Sequence, residues 1–160
     1  MQWAEVLQDP SLQDLPYKIE LNEWGQIVMS PASNRHASFQ YEIARAIDQR
    51  MGHGRLLTEC SIDTDAGVKV ADVAWCSDGF MAQYGDQTPF PVAPELCVEV
   101  VSPSNSERQL QWKMALYFAR GARECWLVDE TDGLRIFTAQ GERADSSFGI
   151  EIPERFGWVH

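Results

Sequence analysis

Two acidic residues lie inside apolar stretches of the sequence, where a carboxylate is costly. Glu99 interrupts the apolar run 96–101, and Asp72 shares one face of a predicted strand with Val70 and Ala74, because strand side chains alternate with period two. A buried carboxylate without a partner costs several kcal/mol or takes up a proton. Each acid therefore needs a cation, a metal ion or water. For either acid alone, a solvent-exposed position at a strand end is the simpler interpretation.

Lys113 supplies a positive charge on a helix face that is expected to pack on the sheet. It follows Leu110 by three residues and precedes Tyr117 by four, so the three side chains share one stripe. Taken alone, such a lysine can lay its stem along apolar surface and reach water. Together with Asp72 and Glu99 it predicts a site: two carboxylates can bind Mg²⁺ or Mn²⁺, and an ammonium beside them can orient water or neutralise charge on a phosphate.

Glu42 is a fourth candidate for the same site. It lies beside the helical stripe formed by Phe39, Ile43 and Ile47 rather than opposite it. From that position its carboxylate can reach the predicted site, or it can be an ordinary solvated residue on the helix flank. The sequence leaves both possibilities open.

Composition and charge limit the possible functions. The 160 residues suit one domain, 1–160, and 44% hydrophobic with 23% charged residues is typical of globular proteins. The net charge of -11 argues against a dominant electrostatic attraction to nucleic acid, although a local basic groove is compatible with it. The N-terminal residues lack the pattern of a signal peptide, and no apolar stretch has the length of a membrane span. We therefore expect a cytoplasmic protein that does not enter a membrane.

The cysteines and histidines do not have the spacing of a metal site. No two cysteines form a CxxC pair, and each lies in or beside an apolar segment, which favours small buried thiols over a zinc site or a disulfide framework. The histidines lack ligand spacing as well. These residues are Cys60, Cys76, Cys97, Cys125, His36, His53 and His160.

The elements that must position the candidate residues can be predicted from the pattern. A strand, a helix and a strand over residues 96–128 predict a crossover with two parallel strands, and hence a mixed β-sheet with helices packed against it. A capping box at Ser104 and Glu107 is expected to start this helix. The remaining predictions are a hairpin at 15–33 with its turn near 22–25, a helix at 31–52 capped by Ser33 or Asn34, strands at 54–60 and 67–76, an irregular segment at 77–94, a hairpin at 123–139 with its turn at 131–133, and a short strand or extended segment at 149–160.

Three stretches carry a resemblance to a known family. "ADVAW", "PELCVEVVSPSN" and "WKMALYFARGARECWLVDE" resemble the Uma-type family of restriction-endonuclease-like proteins, part of the PD-(D/E)XK nuclease superfamily. The resemblance covers most of the chain and is most specific over residues 98–129. It implies an α/β restriction-endonuclease-like fold: a central mixed β-sheet flanked by helices, with an N-terminal β-hairpin. It also implies a Mg²⁺-dependent or Mn²⁺-dependent endonuclease with DNA as substrate.

The resemblance assigns roles to individual residues. Asp72 matches the aspartate of the superfamily motif and Glu99 its second acid, and the peptide carbonyl of Val100 is implied as a third metal ligand. The motif lysine normally follows the second acid by two residues, a position that Val101 occupies here. Lys113, on the following helix, is implied to take its place.

Two hypotheses from different classes remain open. The first is a metal-dependent DNA endonuclease, expected as a symmetric homodimer because cutting both strands is simplest with two sites. The second is a nuclease fold without catalysis that serves as a binding or assembly module, which the acidic charge favours. The two acids facing a lysine favour the first hypothesis. A third interpretation, Ser102 as a nucleophile, is disfavoured because no histidine is placed in sequence to activate it.

Overall fold

A six-stranded mixed β-sheet forms the centre of the protein in the computed structural model, which describes residues 1–129 and 133–152. The helices are α1 (Trp3–Gln8), α2 (Asn34–Met51), α3 (Asp78–Tyr84) and α4 (Glu107–Ala119), with a 3-10 turn at Pro10–Leu12. The strands are β1 (Tyr17–Leu21), β2 (Ile27–Pro31), β3 (Arg55–Thr64), β4 (Gly67–Cys76), β5 (Leu96–Val100), β6 (Glu124–Asp129), β7 (Gly133–Thr138) and β8 (Gly141–Arg143). Among the described helices, none combines the length and apolar character needed to cross a membrane.

The large sheet follows the order of the chain, β3-β4-β5-β6-β7-β8. Strands β5 and β6 are parallel and joined through α4, and the other neighbours are antiparallel. Strands β1 and β2 form a separate antiparallel hairpin. The predicted α/β class, the mixed sheet flanked by helices and the N-terminal hairpin are therefore confirmed.

Each face of the sheet has its own hydrophobic core, because alternate side chains of every central strand point to opposite faces. Helix α2 covers one face, where its buried side chains meet those of the central strands: Phe39, Ile43, Ile47, Val73, Trp75, Val98 and Trp126. Helix α4 covers the other face with Leu110, Met114, Tyr117, Ala74, Cys97, Cys125 and Leu127. Glu99 alternates with Val98 and Val100, so it belongs to the face that α4 covers.

The four cysteines are free and buried, as the sequence predicted. Burial, together with the charge of Glu95, raises the pKa of Cys76 to about 12. Its thiol therefore stays protonated at neutral pH and acts as a small apolar side chain.

The hairpin packs on β4 through one side of β1. Ile19 and Leu21 enter a third apolar cluster with Trp3, Val6, Val68 and Val70. The other side of β1 carries Lys18 and Glu20. Gly67 allows the close approach: its φ is 89°, and a Cβ there would collide with the carbonyl oxygens of Leu21 and Asn22.

The sequence predicted the N-terminal cap of α2 but not that of α4. Ser33 caps α2 by accepting a hydrogen bond from His36 N at 3.0 Å, as one of the two predicted caps. The predicted capping box of Ser104 and Glu107 is wrong, because α4 begins two residues later, with Ser106 as cap and Gln109 as its partner. Residues 102–105 instead form a turn, in which Asn105 N donates to the Ser102 carbonyl at 3.0 Å.

Three short elements were not predicted from the sequence. The segment predicted as irregular contains α3, which Ser77 caps by accepting from Phe80 N at 3.0 Å. Helix α1 and strand β8 were not predicted either. Residues 149–152 have no regular secondary structure, and the rest of the predicted tail strand, 153–160, lies outside the described residues, as does most of the predicted turn at 131–133.

Candidate active site

Strands β4 and β5 stop pairing at the position of the two acids. Their antiparallel ladder ends with Val73 opposite Val98. One further step in the same register would place Asp72 opposite Glu99. The two carboxylates therefore lie next to each other where the strands separate, which opens space between them for a cation.

Asp72 is 1% exposed, and its carboxylate has three partners. Oδ2 accepts a 2.7 Å hydrogen bond from the backbone N–H of Val100, a donor left without a strand partner where the ladder ends. Oδ1 lies 3.2 Å from Lys18 Nζ and 3.1 Å from His36 Nε2. Burial raises the pKa of Asp72, but the charge of Lys18 and the hydrogen bond with His36 outweigh it and hold the pKa well below its usual range. Asp72 is therefore a carboxylate at neutral pH.

Glu99 is 6% exposed, and its carboxylate lies between the ammonium groups of Lys18 and Lys113. Its Oε2 lies 3.1 Å from Lys18 Nζ, and its Oε1 lies 3.2 Å from Lys113 Nζ. Tyr117 also donates its hydroxyl to Oε1 at 2.8 Å. Burial raises the pKa of Glu99, and the charges of Lys113 and Lys18 counter this only in part. The pKa of Glu99 is therefore raised, whereas that of Asp72 is lowered.

Glu20 is a third buried carboxylate at the same place. Its Oε2 lies 2.7 Å from Lys113 Nζ and accepts a 2.6 Å hydrogen bond from Val70 N. Burial raises the pKa of Glu20, but the charges of Lys113 and Lys18 outweigh burial, so the pKa is lowered. Lys113 thus joins Glu20 to Glu99, and Lys18 joins Glu99 to Asp72.

These side chains line one cavity of about 310 Å³. The structure brings Asp72, Glu99, Lys113 and Val100 together there. Glu42 is not among them. It is partly buried on α2, where its carboxylate lies 3.9 Å from Arg45, and it does not line the cavity.

Sequence reasoning missed Lys18, Glu20 and His36. A usable signal existed for the first two, since Lys18 and Glu20 alternate with Ile19 and Leu21 and give the predicted strand one charged face. The sequence could not show that this face would point toward Asp72 and Glu99. His36 had no signal beyond its place in the first turn of a helix.

The residues of the cavity fit a hard divalent cation. Oxygens of Asp72 and Glu99 already lie within 3.2 Å of one cation, the Lys18 ammonium, so the two carboxylates can share a positive charge. Within the described residues, no group of three or more His, Cys, Asp or Glu side chains is arranged to hold a metal. Mg²⁺ needs only one or two carboxylates with water to complete its shell, and the Val100 carbonyl would add an oxygen of the same kind.

The fold is that of a restriction-endonuclease-like protein. Residues 3–153 match the model of the Uma2 family, described as "Putative restriction endonuclease", and the chain belongs to that family. The resemblance found in the sequence is therefore confirmed.

A solved structure has the same fold. It is described as "a putative nuclease belonging to DUF820 from Anabaena variabilis" and is 17% identical, with a TM-score of 0.69 over 97% of this chain and 85% of the other. No curated protein sequence matches this chain.

Proposed function

We propose that the protein is a metal-dependent endonuclease that hydrolyses phosphodiester bonds in DNA, with Mg²⁺ or Mn²⁺ as its cofactor. One observation carries the proposal. Asp72 and Glu99, from adjacent strands, share a cation at 3.1–3.2 Å where those strands separate, beside the ammonium of Lys113. Two buried carboxylates that share a cation are suited to binding a divalent ion.

Each residue near the proposed ion has a role that follows from its position. Asp72, Glu99 and the Val100 carbonyl would hold the ion, which when bound supplies Lewis acidity and lowers the pKa of a bound water. Val100 N and Tyr117 orient the two carboxylates through hydrogen bonds of 2.7 and 2.8 Å. Lys113 lies 3.2 Å from Glu99, where its charge can stabilise an anionic phosphate or orient the attacking water.

The rim of the cavity supports a nucleic-acid substrate. Trp112 lines it and is 49% exposed, and Lys69 Nζ lies 5.2 Å from the centre of the indole ring. The ammonium of the buried Lys69 lies over the indole ring, and the exposed part of the ring offers a surface on which a nucleobase can stack. Such a contact would give DNA a point of attachment despite the net charge of -11.

A binding or assembly module without catalysis is the second candidate. The charges of the cluster, which are already paired, favour this candidate. Each of the three carboxylates has a lysine within 3.2 Å and a further hydrogen bond. Such a cluster does not need a metal ion to be stable.

The test is the conversion of supercoiled plasmid to nicked or linear DNA with Mg²⁺, Mn²⁺ or a chelator. We expect cleavage with either ion and none with chelator, and loss of cleavage in Asp72→Asn. Asp86→Asn, which removes an exposed acid outside the cavity, is the matched control and should cut like the wild type. Absence of cleavage in the wild type with both ions would leave the binding module as the better account.

Cutting both strands is simplest with two active sites, so the proposal includes a symmetric homodimer. Light scattering coupled to size exclusion measures this directly. A monomer at high protein concentration would contradict the dimer but would leave the proposed chemistry of the site unaffected.

A further inference from the structure

We infer that Lys18 occupies the cation position of the site in the metal-free protein and must leave it before a divalent ion can bind. The inference rests on the proposed metal site and extends it, since it makes Lys18 the residue that sets metal affinity. Lys18 belongs to the hairpin, outside the elements that carry Asp72, Glu99 and Lys113.

The Lys18 ammonium lies between the two acids of the proposed metal site. Lys18 Nζ lies 3.2 Å from Asp72 Oδ1 and 3.1 Å from Glu99 Oε2, and its side chain is 11% exposed. It thus contacts both carboxylates that would hold the metal. Lys113, by contrast, pairs with Glu99 and Glu20.

A divalent ion and the Lys18 ammonium would exclude each other from this position. Mg²⁺ binds carboxylate oxygens at about 2.0–2.1 Å. An ion at that distance from both Asp72 and Glu99 would lie in the space that the Lys18 ammonium fills, and the two positive charges would repel each other strongly at such close range. The ion and the ammonium therefore compete for the same pair of oxygens.

The Lys18 ammonium has space in the cavity into which it can move. The ammonium is carried by a flexible four-carbon stem, and the stem projects from a hairpin whose strands do not pair with those of the large sheet. The side chain lines the cavity of about 310 Å³, so a change of rotamer can move the ammonium into that space. There it would remain close to Glu20, the neighbouring acid on the same strand face, whose charge already acts on it.

Two consequences follow from the exchange. Metal binding to the wild type is weakened by the work of displacing an ammonium from two carboxylates. The displaced ammonium stays in the cavity, where a phosphodiester group would be received, so Lys18 becomes available to bind substrate once the metal is in place.

The experiment is calorimetric titration of Mn²⁺ into the wild type, Lys18→Met and Lys113→Met. Both variants remove one positive charge that contacts Glu99, but only the first frees the position between Glu99 and Asp72. We expect Lys18→Met to bind Mn²⁺ about 10-fold or more tightly than the wild type, since a charge in direct contact with both ligands is gone. Lys113→Met should show a clearly smaller gain, and Lys18→Arg, which keeps the charge, should stay close to the wild type.

The outcomes separate this inference from the proposed function. If the wild type binds Mn²⁺ and Lys18→Met binds it no more tightly, displacement is wrong while the metal site stands. Equal gains in Lys18→Met and Lys113→Met would also overturn it, because the effect would then reflect net charge and not position. If no variant binds Mn²⁺, the metal site itself is absent and both proposals fail.

A second measurement covers the case in which Lys18→Met does not fold. In wild-type protein with ¹⁵N-labelled lysine, Mg²⁺ should shift the Lys18 ammonium signal and speed its hydrogen exchange, because the ammonium loses both carboxylates. Lys18→Arg assigns the signal, since it keeps the charge and removes only that resonance. A Lys18 signal that does not respond to saturating Mg²⁺ would contradict displacement.

Discussion

The hydroxyl of Tyr117 donates a 2.8 Å hydrogen bond to Oε1 of Glu99, and both residues are buried. The bond links α4 to the end of β5 and fixes the orientation of the carboxylate. A hydrogen bond to a charged acceptor in the interior contributes more than one between neutral groups. Tyr117 therefore contributes both to the stability of the fold and to the orientation of the Glu99 carboxylate in the site.

Tyr117→Phe removes this hydrogen bond while keeping the ring. We expect the free energy of unfolding to fall by about 1–3 kcal/mol, because Glu99 loses a donor in a buried position. Urea denaturation measures the change. Tyr41→Phe is the control, since Tyr41 is 62% exposed and should lose almost nothing. Equal stability of Tyr117→Phe and the wild type would show that the hydrogen bond contributes nothing.

Lys113→Ala separates catalysis from metal binding. Lys113 is proposed to act on the phosphate or the attacking water and not as a ligand, so its loss should reduce plasmid cleavage by about 100-fold or more while metal-induced stabilisation persists. Cleavage rate and Mg²⁺-dependent melting are measured on the same preparation. Retention of full cleavage would remove Lys113 from the mechanism.

Glu20→Gln tests the third carboxylate through its pH dependence. The pKa of Glu20 is lowered in the folded protein, so its charge stabilises the fold above its ordinary pKa, and that stability is lost as pH falls through the lowered value. We expect Glu20→Gln to lose about 1–3 kcal/mol at neutral pH, and this difference from the wild type to shrink below about pH 4.3.

Urea denaturation over a pH series measures the effect of Glu20→Gln, with Glu23→Gln as the matched control. Glu23 is an acid on the exposed hairpin turn. A difference between Glu20→Gln and the wild type that stayed constant with pH would show that the charge of Glu20 is not its source.

Gly67→Ala tests the docking of the hairpin that carries Lys18. A Cβ at Gly67 adds a collision with two carbonyl oxygens to the strain of a positive φ. Gly141 has a φ of 128°, and a Cβ added there would meet nothing within 4 Å, so Gly141→Ala gives the strain alone. We expect Gly67→Ala to be less stable than Gly141→Ala by about 1–3 kcal/mol in urea denaturation. Equal losses would show that close packing at Gly67 is unimportant.

The sequence predicted the parts of the site that depend on local pattern. Asp72 and Glu99 stood out because acids are rare within apolar strands, and Lys113 because helical spacing placed it on a packed face. Lys18 and Glu20 were missed because their role depends on how the hairpin docks against β4, which is a contact between segments about fifty residues apart. Helical spacing also left Glu42 undecided, since it fixes a side chain's angle around α2 but not what lies opposite.

The most direct test of the central claim, that Asp72 and Glu99 form a working cation site, is the melting temperature of wild type and Glu99→Gln with and without Mg²⁺. A ligand that binds only the native state stabilises it by mass action, so Mg²⁺ at about 100 times its dissociation constant should raise the wild-type melting temperature by about 5–10 °C. Glu99→Gln keeps the shape of the side chain and removes the charge, so most of this rise should disappear. An equal rise in both proteins, or none in the wild type, would contradict the claim.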